Sequence, residues 1–389
     1  MFAIALELAR RGHHASLACP PSFEPWARSY GVEHHELGED LQSKLADAST
    51  APEQSIRGMT RYFTEQMALQ APRLLELARD ADVIVGTGMA WMSASVAEKL
   101  GIPVLCFMPG TAAVRSRLYP PPLMPWFGLP SWMNGLLWWA YERSTNALMG
   151  APVNGARAGL GLPPIAAFDA HLFVDTPCVV GADELVMPPD PLWQGRYPYV
   201  GFVFLDDPAP LDPALDAWLS SGEPPIFVGF GSMAGSAPER VLALLVDALR
   251  GSGRRCLVLG GTSLFGDRPP EGFFAVREAP FARLFPRVAA VVHHGGSGTM
   301  ALALRAGVPQ VVLPMMLDQH FHAHCLVRAG LAPLAPTMAK ATAKSLASAL
   351  DRALALPPEP RRLVAERLAT SQAARAIVDR LEHMTGART

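Results

Sequence analysis

Short apolar runs alternate with helical patterns along the second half of the chain. The strand-like runs are Ile226–Ser232, Cys256–Gly261, Phe273–Glu278, Ala289–His293 and Gln310–Pro314. Helical patterns cover Pro238–Arg250, Ser297–Ala306, Gln319–Ala329 and Lys344–Ala355. Apolar strands that alternate with helices are typical of a parallel sheet covered on both faces. The sequence therefore predicts an α/β domain here, and ligands of such sheets bind at the carboxyl ends of the strands.

The first half shows the same alternation less clearly. Its predicted elements are the strands Val83–Gly86, Val104–Phe107 and Cys178–Gly181, a helix over Met89–Leu100, and near the start a helix over Phe2–Arg11 followed by the strand Ala15–Cys19. In a βαβ unit a strand precedes the first helix, and no residues are left for one before Phe2. We therefore expect that the first strand of this domain is missing and that the chain starts late.

The length of 389 residues exceeds what one hydrophobic core comfortably fills, so two domains are expected. Hydrophobic residues make up 50% and charged residues 17%, which permits a large core and argues against long disordered tails. Stretches rich in Pro, Gly and Asp lie between about 203 and 225. We predict an N-terminal domain over 1–205, incomplete at its start, a linker over 206–221 and a C-terminal domain over 222–389.

Charge and cysteine content exclude several classes of protein. A net charge of -2 gives no electrostatic footprint for nucleic acid. The five cysteines are scattered without a C-x-x-C pair, which indicates reduced thiols and a cytoplasmic protein. The longest uncharged run, Leu118–Tyr141, contains five prolines that would break a membrane-spanning helix. The sequence predicts no transmembrane segment, and it leaves a peripheral membrane contact open.

The stretch from Val291 to Thr299 carries the clearest chemical signal. A predicted strand turns through three glycines, two hydroxyls and two imidazoles into a predicted helix. Such a turn leaves backbone N–H groups unpaired at the helix start, where the helix dipole also favours negative charge. His294 can add a proton donor or a positive charge. The turn is therefore predicted to bind a phosphate ester that carries or releases charge.

Two further motifs lie at strand ends, namely Gly231-Ser232 and Asp318-Gln319. Taken singly, the first is usually an ordinary turn and the second usually a helix N-cap. His293 is equally compatible with a core histidine that has its hydrogen bonds satisfied. Together with the phosphate-binding turn, however, the motifs supply donors for phosphate and a carboxylate–amide pair for hydroxyl groups. That combination suits a nucleotide sugar.

The order FGS … HHGGSGT … AGVPQVVLPMMLDQ resembles the donor domain of the GT-B glycosyltransferases that modify sterols, macrolides and glycopeptide antibiotics. The resemblance covers most of residues 222–335 and extends with lower specificity to the first half. It implies two Rossmann-like domains whose parallel sheets face a cleft. It also implies an inverting transferase of secondary metabolism (antibiotic biosynthesis) that moves a hexose from a UDP- or dTDP-linked sugar to a hydroxyl of a hydrophobic acceptor, with neither metal nor cofactor.

The resemblance also assigns donor-binding roles by position. His294 and the backbone of Gly296, Gly298 and Thr299 would hold the diphosphate, together with Ser297, which stands where alanine is common in the family. Gly231 and Ser232 would contact it from the facing loop. Asp318 and Gln319 would bind sugar hydroxyls. The backbone of Ala279, at a strand end, would face the nucleobase.

The catalytic base is not identified. In the family it is a His or Asp in the turn before the first helix, and this sequence begins at that helix. His13 and His14 lie at the far end of the helix, and His171 beside Asp169 is explained by solvation in a loop. An alternative is therefore a truncated, inactive protein that binds nucleotide sugars without catalysis. A third possibility is an epimerase of similar fold, which would need carboxylates in the cleft.

Two other groups of residues admit competing interpretations. His320 and His324 share a helix face while His322 points away, so a zinc site lacks its third ligand; solvated or donor-adjacent histidines are favoured. Trp126, Trp132, Trp138 and Trp139 cluster around a proline-rich stretch. They fit either a core helix over Trp132–Leu148 or an apolar wall for a sterol, macrolactone, polyphenol or lipid acceptor.

Overall fold

The structure is a computed structural model. It describes residues 1–39, 56–88, 90–207, 209–230, 238–249, 252–260, 265 and 269–386. None of the helices in these ranges is both long and apolar enough to cross a membrane.

The first half of the chain builds two small parallel sheets. Its strands are β1 (Ser16–Cys19), β2 (Glu33–Glu36), β3 (Ile84–Thr87), β4 (Val104–Met108) and β5 (Cys178–Val180). Strands β1 and β2 pair with each other, and β3, β4 and β5 pair in that order. The helices are α1 (Phe2–Arg10), α2 (Glu24–Ser29), α3 (Ile56–Leu77), α4 (Ser93–Leu100), α5 (Ser131–Gly159) and α6 (Phe168–Phe173), with short 3₁₀ turns at Pro21–Phe23 and Pro191–Trp193.

The second half builds one larger parallel sheet. Its strands are β6 (Ile226–Gly229), β7 (Cys256–Leu259), β8 (Phe273–Val276), β9 (Ala290–His293) and β10 (Gln310–Val312), in the spatial order β10-β9-β6-β7-β8. The helices are α7 (Pro213–Ser220), α8 (Pro238–Leu249), α9 (Phe281–Leu284), α10 (Ser297–Arg305), α11 (Gln319–Arg328), α12 (Ala343–Ala355), α13 (Pro358–Ala369) and α14 (Ala373–Thr385), with 3₁₀ turns at Phe285–Arg287 and Met338–Lys340.

The parallel order of this sheet confirms the alternation predicted from the sequence. Every residue of the central strands β6 and β9 is buried, which explains why these runs are apolar apart from His293 at the end of β9. Gly229 is paired with His293, and His293 with Val312, so three neighbouring strands end at the same level. The loops that follow them therefore meet at one edge of the sheet.

The last helix leaves the second sheet and packs on the first. Ile377, Val378 and Leu381 of α14 lie in one apolar cluster with Leu105 of β4 and Val179 of β5. Ion pairs fix the contact from outside, because Arg11 after α1 bridges Asp379 at 2.6 Å and Glu382 at 2.9 Å. The sequence pattern did not reveal this return of the chain to its first half.

The two halves share a continuous apolar core. Met108, Ala112 and Met187 from the first half pack in one cluster with Phe321 and Leu326 from α11. Polar contacts run alongside. Arg328 donates to the hydroxyl of Tyr119 at 2.7 Å, and Arg367 pairs with Asp183 at 2.5 Å. The ends of β9 and β10 therefore lie close to the loops that follow β4.

Several element boundaries differ from the predicted ones. Strands β6, β7, β8 and β10 end two or three residues before the predicted ends, while α5 runs on to Gly159 rather than stopping near Leu148. The extension is held from outside the helix, since the buried Arg157 donates to Glu98 at 2.8 Å and to Ser95 at 3.0 Å. Tertiary contacts thus outweigh the glycines and the proline inside the helix. The domain boundaries and the missing first strand remain predictions.

Candidate active site

The predicted phosphate-binding turn begins at Gly295, where any other residue would be strained. Gly295 directly follows β9 and has φ +97°, a region that favours glycine. A Cβ atom there would lie 3.0 Å from Cγ1 of Val312 and 3.1 Å from the carbonyl oxygen of Gln319. The absence of a side chain therefore lets the turn pack directly against β10 and the start of α11.

Helix α10 starts immediately after this turn with its first amides uncapped. Gly296 is the N-cap residue, and no side chain in the described part of the protein caps the helix. The first internal bond runs from the N–H of Met300 to the carbonyl of Gly296 at 3.0 Å. The N–H groups of Ser297, Gly298 and Thr299 have no partner inside the helix, as at any helix start. The helix dipole adds to their affinity for an anion.

His293 is a structural residue. It is fully buried; its Nδ1 accepts from the N–H of Gly295 at 3.1 Å, and its Nε2 lies 3.0 Å from Oε1 of Gln310. Because Nδ1 accepts, the proton is on Nε2, which donates to Gln310. Burial, with a smaller effect of His294, lowers the pKa of His293 to about 3. His293 therefore stays neutral and holds the turn, as the core interpretation predicts.

This burial predicts a pH dependence of stability. In the unfolded chain His293 takes up a proton near its ordinary pKa of 6.5, whereas in the folded chain its pKa is about 3. The unfolded state thus binds more protons between these values, and stability is lost as the pH falls through that window. His293→Asn keeps an acceptor for Gly295 but does not titrate. We expect the urea unfolding midpoints at pH 7 and pH 4.5 to differ less in this variant than in wild type. An equal difference in the two proteins would contradict the assignment of His293 as a buried neutral residue.

His294 lies over the turn itself. A Cβ atom on Gly296 would approach Nε2 of His294 to 2.7 Å, so the imidazole covers the first residue of the helix start. Its Nδ1 is buried and finds no hydrogen-bond partner among the described residues. Burial lowers the pKa of His294, while Asp318 opposes that shift, His322 adds to it and the backbone of Gly229 opposes it. A ligand that offers negative charge would raise this pKa and favour the protonated ring.

Asp318 and Gln319 form the second wall of the site. The carboxylate of Asp318 caps no amide of α11 within the part of the chain that the structure describes, although Asp318 occupies the N-cap position. Leu317 before it has φ +50°, which is strained for a branched side chain and turns the loop sharply. Oε1 of Gln319 accepts from the N–H of Met315 at 2.8 Å and of Met316 at 3.1 Å. Asp318 is thus left for a ligand, and Gln319 offers only its amide NH₂.

The remaining predicted donor residues lie at the same edge of the sheet or outside the described residues. Ala279 follows β8 and precedes α9, with its side chain packed against the apolar cluster around Phe227 and Phe285. Gly231 and Ser232 follow β6 but lie outside the described residues. The structure therefore brings the turn at His294, the loop at Asp318 and the strand end near Ala279 to one edge.

Two of the three histidines of α11 have separate roles in packing. His324 stacks on Phe127 with the rings 4.1 Å apart, and burial lowers its pKa to about 4, assisted by Arg328. His322 is buried and contacts the carbonyl of Gly295. Across the described residues no three His, Cys, Asp or Glu side chains lie close enough to hold a metal ion.

Of the four clustered tryptophans, one is part of the core and three are exposed, as an apolar wall for an acceptor would require. Trp138 is buried, and its indole N–H donates to the carbonyl of Tyr119 at 2.9 Å. Trp126, Trp132 and Trp139 are each more than half exposed. We call the exposed set the aromatic face; its members are Leu118, Leu123, Trp126, Trp132, Leu136 and Trp139. Residues 132, 136 and 139 follow the spacing of one helix face.

His171 does not behave as a solvated loop residue. It lies in α6, is 8% exposed, and its Nε2 is 3.1 Å from the hydroxyl of Ser95. Burial lowers its pKa. The neighbouring Asp169 contacts Thr145 instead, and burial raises the pKa of Asp169 to about 6. The loop solvation expected from the sequence for His171 is therefore wrong, because His171 and Asp169 lie in a helix and contact different partners.

Solved structures of similar shape define the class of fold. The calicheamicin glycosyltransferase CalG4 superposes with a TM-score of 0.72 at 19% identity, over 99% of this chain and 94% of that one. The glycosyltransferase VinC, solved with dTDP, gives a TM-score of 0.69 at 19% identity, over 100% and 96%. At such identities the likeness shows the fold, which is the α/β GT-B fold with two parallel-sheet domains.

Sequence comparison then defines the family. A family model for the C-terminal domain of erythromycin biosynthesis protein CIII-like proteins matches residues 267–384. Glycosyltransferase GtfE of Amycolatopsis orientalis is 35% identical over 371 residues, or 93% of this chain and 88% of the relative. The vancomycin aglycone glucosyltransferase of the same organism is 33% identical, over 92% and 87%. Sterol 3-beta-glucosyltransferase UGT80B1 of Arabidopsis thaliana is 28% identical, over 94% and 62%. The chain belongs to the macrolide, glycopeptide and sterol glycosyltransferase family, and it is a nucleotide-sugar-binding hexosyltransferase.

Proposed function

We propose that this enzyme transfers a hexose from a UDP- or dTDP-linked sugar to a hydroxyl of a hydrophobic acceptor, with inversion at the anomeric carbon. The single observation that carries the donor half is the uncapped start of α10, where His294 covers Gly296 and the uncommitted carboxylate of Asp318 follows β10. Relatives that are named as vancomycin aglycone and sterol glucosyltransferases support the same class of reaction.

The proposed chemistry follows from where charge develops. As the anomeric carbon leaves the diphosphate, negative charge grows on the leaving oxygen. The N–H groups of Gly296, Ser297, Gly298 and Thr299, with His294 beside them, would serve as fixed donors to that oxygen. Donors that are already oriented stabilise the transition state more than the ground state. Asp318 and the amide of Gln319 would hold sugar hydroxyls, and the backbone near Ala279 would contact the nucleobase.

The acceptor is proposed to bind near the aromatic face. Phe127, which stacks on His324 of α11, joins the proline-rich loop to the donor side of the protein. Exposed tryptophan and leucine side chains would lose contact with water on binding a sterol, polyketide or other apolar ring system. The cytoplasm remains our proposed location, since all five cysteines are free thiols. Contact of the aromatic face with a membrane surface remains a prediction.

Substitution on the aromatic face tests the acceptor site. Trp132→Ala is expected to raise the acceptor KM about tenfold, because about 1.4 kcal/mol of apolar contact is lost, and to leave the donor KM unchanged. Trp26→Ala is the matched control, since Trp26 is also about half exposed but lies on α2. Steady-state kinetics with each substrate varied in turn measure both constants. Equal effects of the two substitutions would place the acceptor elsewhere.

The function itself is tested by binding and turnover. Calorimetric titration with UDP and dTDP measures donor recognition. UDP-glucose and dTDP-glucose are then incubated with a panel of sterol, macrolactone and polyphenol acceptors, and the anomeric configuration of any product is read by NMR. We expect a β-linked product from an α-linked donor. Nucleotide binding without any product would favour the non-catalytic alternative, and absence of both would refute the proposal.

A further inference from the structure

His322 joins the phosphate-binding turn to the other half of the protein. Its side chain lies on α11, is 1% exposed, and its Nδ1 is 2.7 Å from the carbonyl oxygen of Gly295. A carbonyl oxygen only accepts, so Nδ1 carries the proton in this contact. Nε2 is then the free nitrogen of the ring. It is buried and has no hydrogen-bond partner in the described parts of the chain.

The free nitrogen faces the loop that follows β4 in the first half. A Cβ atom built on Gly110 would lie 3.1 Å from Nε2 of His322 and 3.4 Å from the sulfur of Met187. The next residue, Thr111, is 2% exposed, and its hydroxyl also has no partner among the described residues. One imidazole therefore fills the whole distance between the turn and this loop. Only a residue without a side chain fits at position 110 without pressing on it.

The bond to Gly295 acts on a proposed phosphate donor. The carbonyl of Gly295 and the N–H of Gly296 belong to the same planar peptide unit and point in opposite directions. Fixing the oxygen therefore fixes the direction of the N–H. A hydrogen bond to the carbonyl also polarises the amide and strengthens it as a donor. His322 thus sets both the orientation and the strength of the amide at the start of α10 without touching the ligand.

We propose that His322 is a positioning residue that aims the Gly296 amide at the donor diphosphate and couples the loop at Gly110 to that amide. This inference rests on the proposed donor site. Through the ring, a displacement of the loop at Gly110 displaces the carbonyl of Gly295, so contacts made in the first half alter affinity for the nucleotide in the second.

Variants at position 322 separate the two ring nitrogens. Asn places an amide N–H where Nδ1 lies, whereas Gln places its amide near Nε2. Relative to wild type, His322→Phe is expected to weaken UDP and dTDP binding about tenfold, which corresponds to one lost hydrogen bond. His322→Asn should restore affinity to within about threefold, and His322→Gln should not. Calorimetric titration at a temperature well below each variant's melting point gives the dissociation constants.

A substitution in the first half tests the coupling. Gly110→Ala adds a methyl group against Nε2 of His322 and lies outside the second sheet. We expect it to weaken nucleotide binding about threefold in the wild-type background and to have no effect beside His322→Asn, whose shorter side chain leaves room. A double-mutant cycle measures this difference.

The outcomes separate the two proposals. If wild type binds neither UDP nor dTDP, the donor site itself is wrong. If wild type binds and folded His322→Phe binds equally well, the positioning role is overturned while the donor site stands. If His322→Asn is as weak as His322→Phe, or Gly110→Ala has the same effect in both backgrounds, the coupling through Nδ1 is refuted.

Discussion

Replacing His294 with alanine is expected to lower kcat/KM for glycosyl transfer by about 10²–10³, the usual loss when one preorganised donor is removed from a developing negative charge. The imidazole lies over Gly296, and its Nδ1 is buried without a partner among the described residues. The other ring nitrogen, Nε2, is the one nearest Gly296, so a ligand oxygen at the helix start would meet Nε2. Burial lowers the pKa of His294 in the free protein. The ring is therefore expected to donate a hydrogen bond to the bound diphosphate, whose negative charge favours the protonated form.

Initial rates at saturating acceptor, with the donor concentration varied, measure this effect. His294→Gln is the matched variant, because its amide keeps a hydrogen-bond donor but cannot carry charge. We expect Gln to recover part of the rate, and the recovered fraction reports how much of the effect is hydrogen bonding. A transfer rate for His294→Ala equal to that of wild type would remove His294 from the mechanism.

Gly295→Ala is expected to be the most damaging single substitution at the turn. The alanine would have to adopt φ +97°, and its Cβ would press on Val312 and on the backbone of Gln319. Backbone strain and overpacking together are expected to cost about 3 kcal/mol or more of stability. Urea unfolding and thermal melting measure the loss. Wild-type stability in this variant would mean that the turn has another conformation.

Gly296→Ala is the neighbouring control and should behave differently. Gly296 has an ordinary extended conformation as the N-cap, and the atoms nearest to its Cβ would be those of the His294 imidazole. A side chain can rotate away, so stability should change little while the transfer rate falls toward that of His294→Ala. The two adjacent glycines thereby separate a requirement of folding from a requirement of catalysis.

The pattern of apolar runs was sufficient to predict the larger sheet and strands β3 to β5, because buried parallel strands are mostly apolar, but it gave no signal for the polar strand β2. The turn at Gly295 was predictable for the same local reason, since glycines between a strand and a helix indicate an exposed helix start. Contacts outside the regular elements left no such signal. Gln319 is partly committed to the backbone of its own loop at Met315 and Met316, and His322 contacts both halves. The first contact depends on how that loop folds back, and the second on which loop lies opposite, so neither follows from spacing.

The tryptophan cluster shows the same limit. Periodicity places Trp132, Trp138 and Trp139 on a helix, but it does not say which side another helix covers. The structure buries Trp138 and leaves the other two exposed. The spacing of the histidines in α11 was similarly ambiguous. It did not reveal that the ring of His324 stacks on Phe127. The local sequence predicts the helix, but the segments packed around the helix determine which of its side chains are buried.

The return of α14 to the first sheet has a consequence for how this protein can be divided. The polypeptide passes between the halves twice, once near residue 210 and again near residue 371, where Ser371 donates to the carbonyl of Phe202. Consider a chimera in which the first half comes from one protein and the second half from a relative. Residues 373–386 must then come from the same protein as the first half, because they pack on it. A cut at the first passage alone would remove the helix that covers Leu105 and Val179, and we expect the resulting fragment to expose both side chains to water. Because the chain joins the halves at two places, exchanging one half requires a junction at each of them.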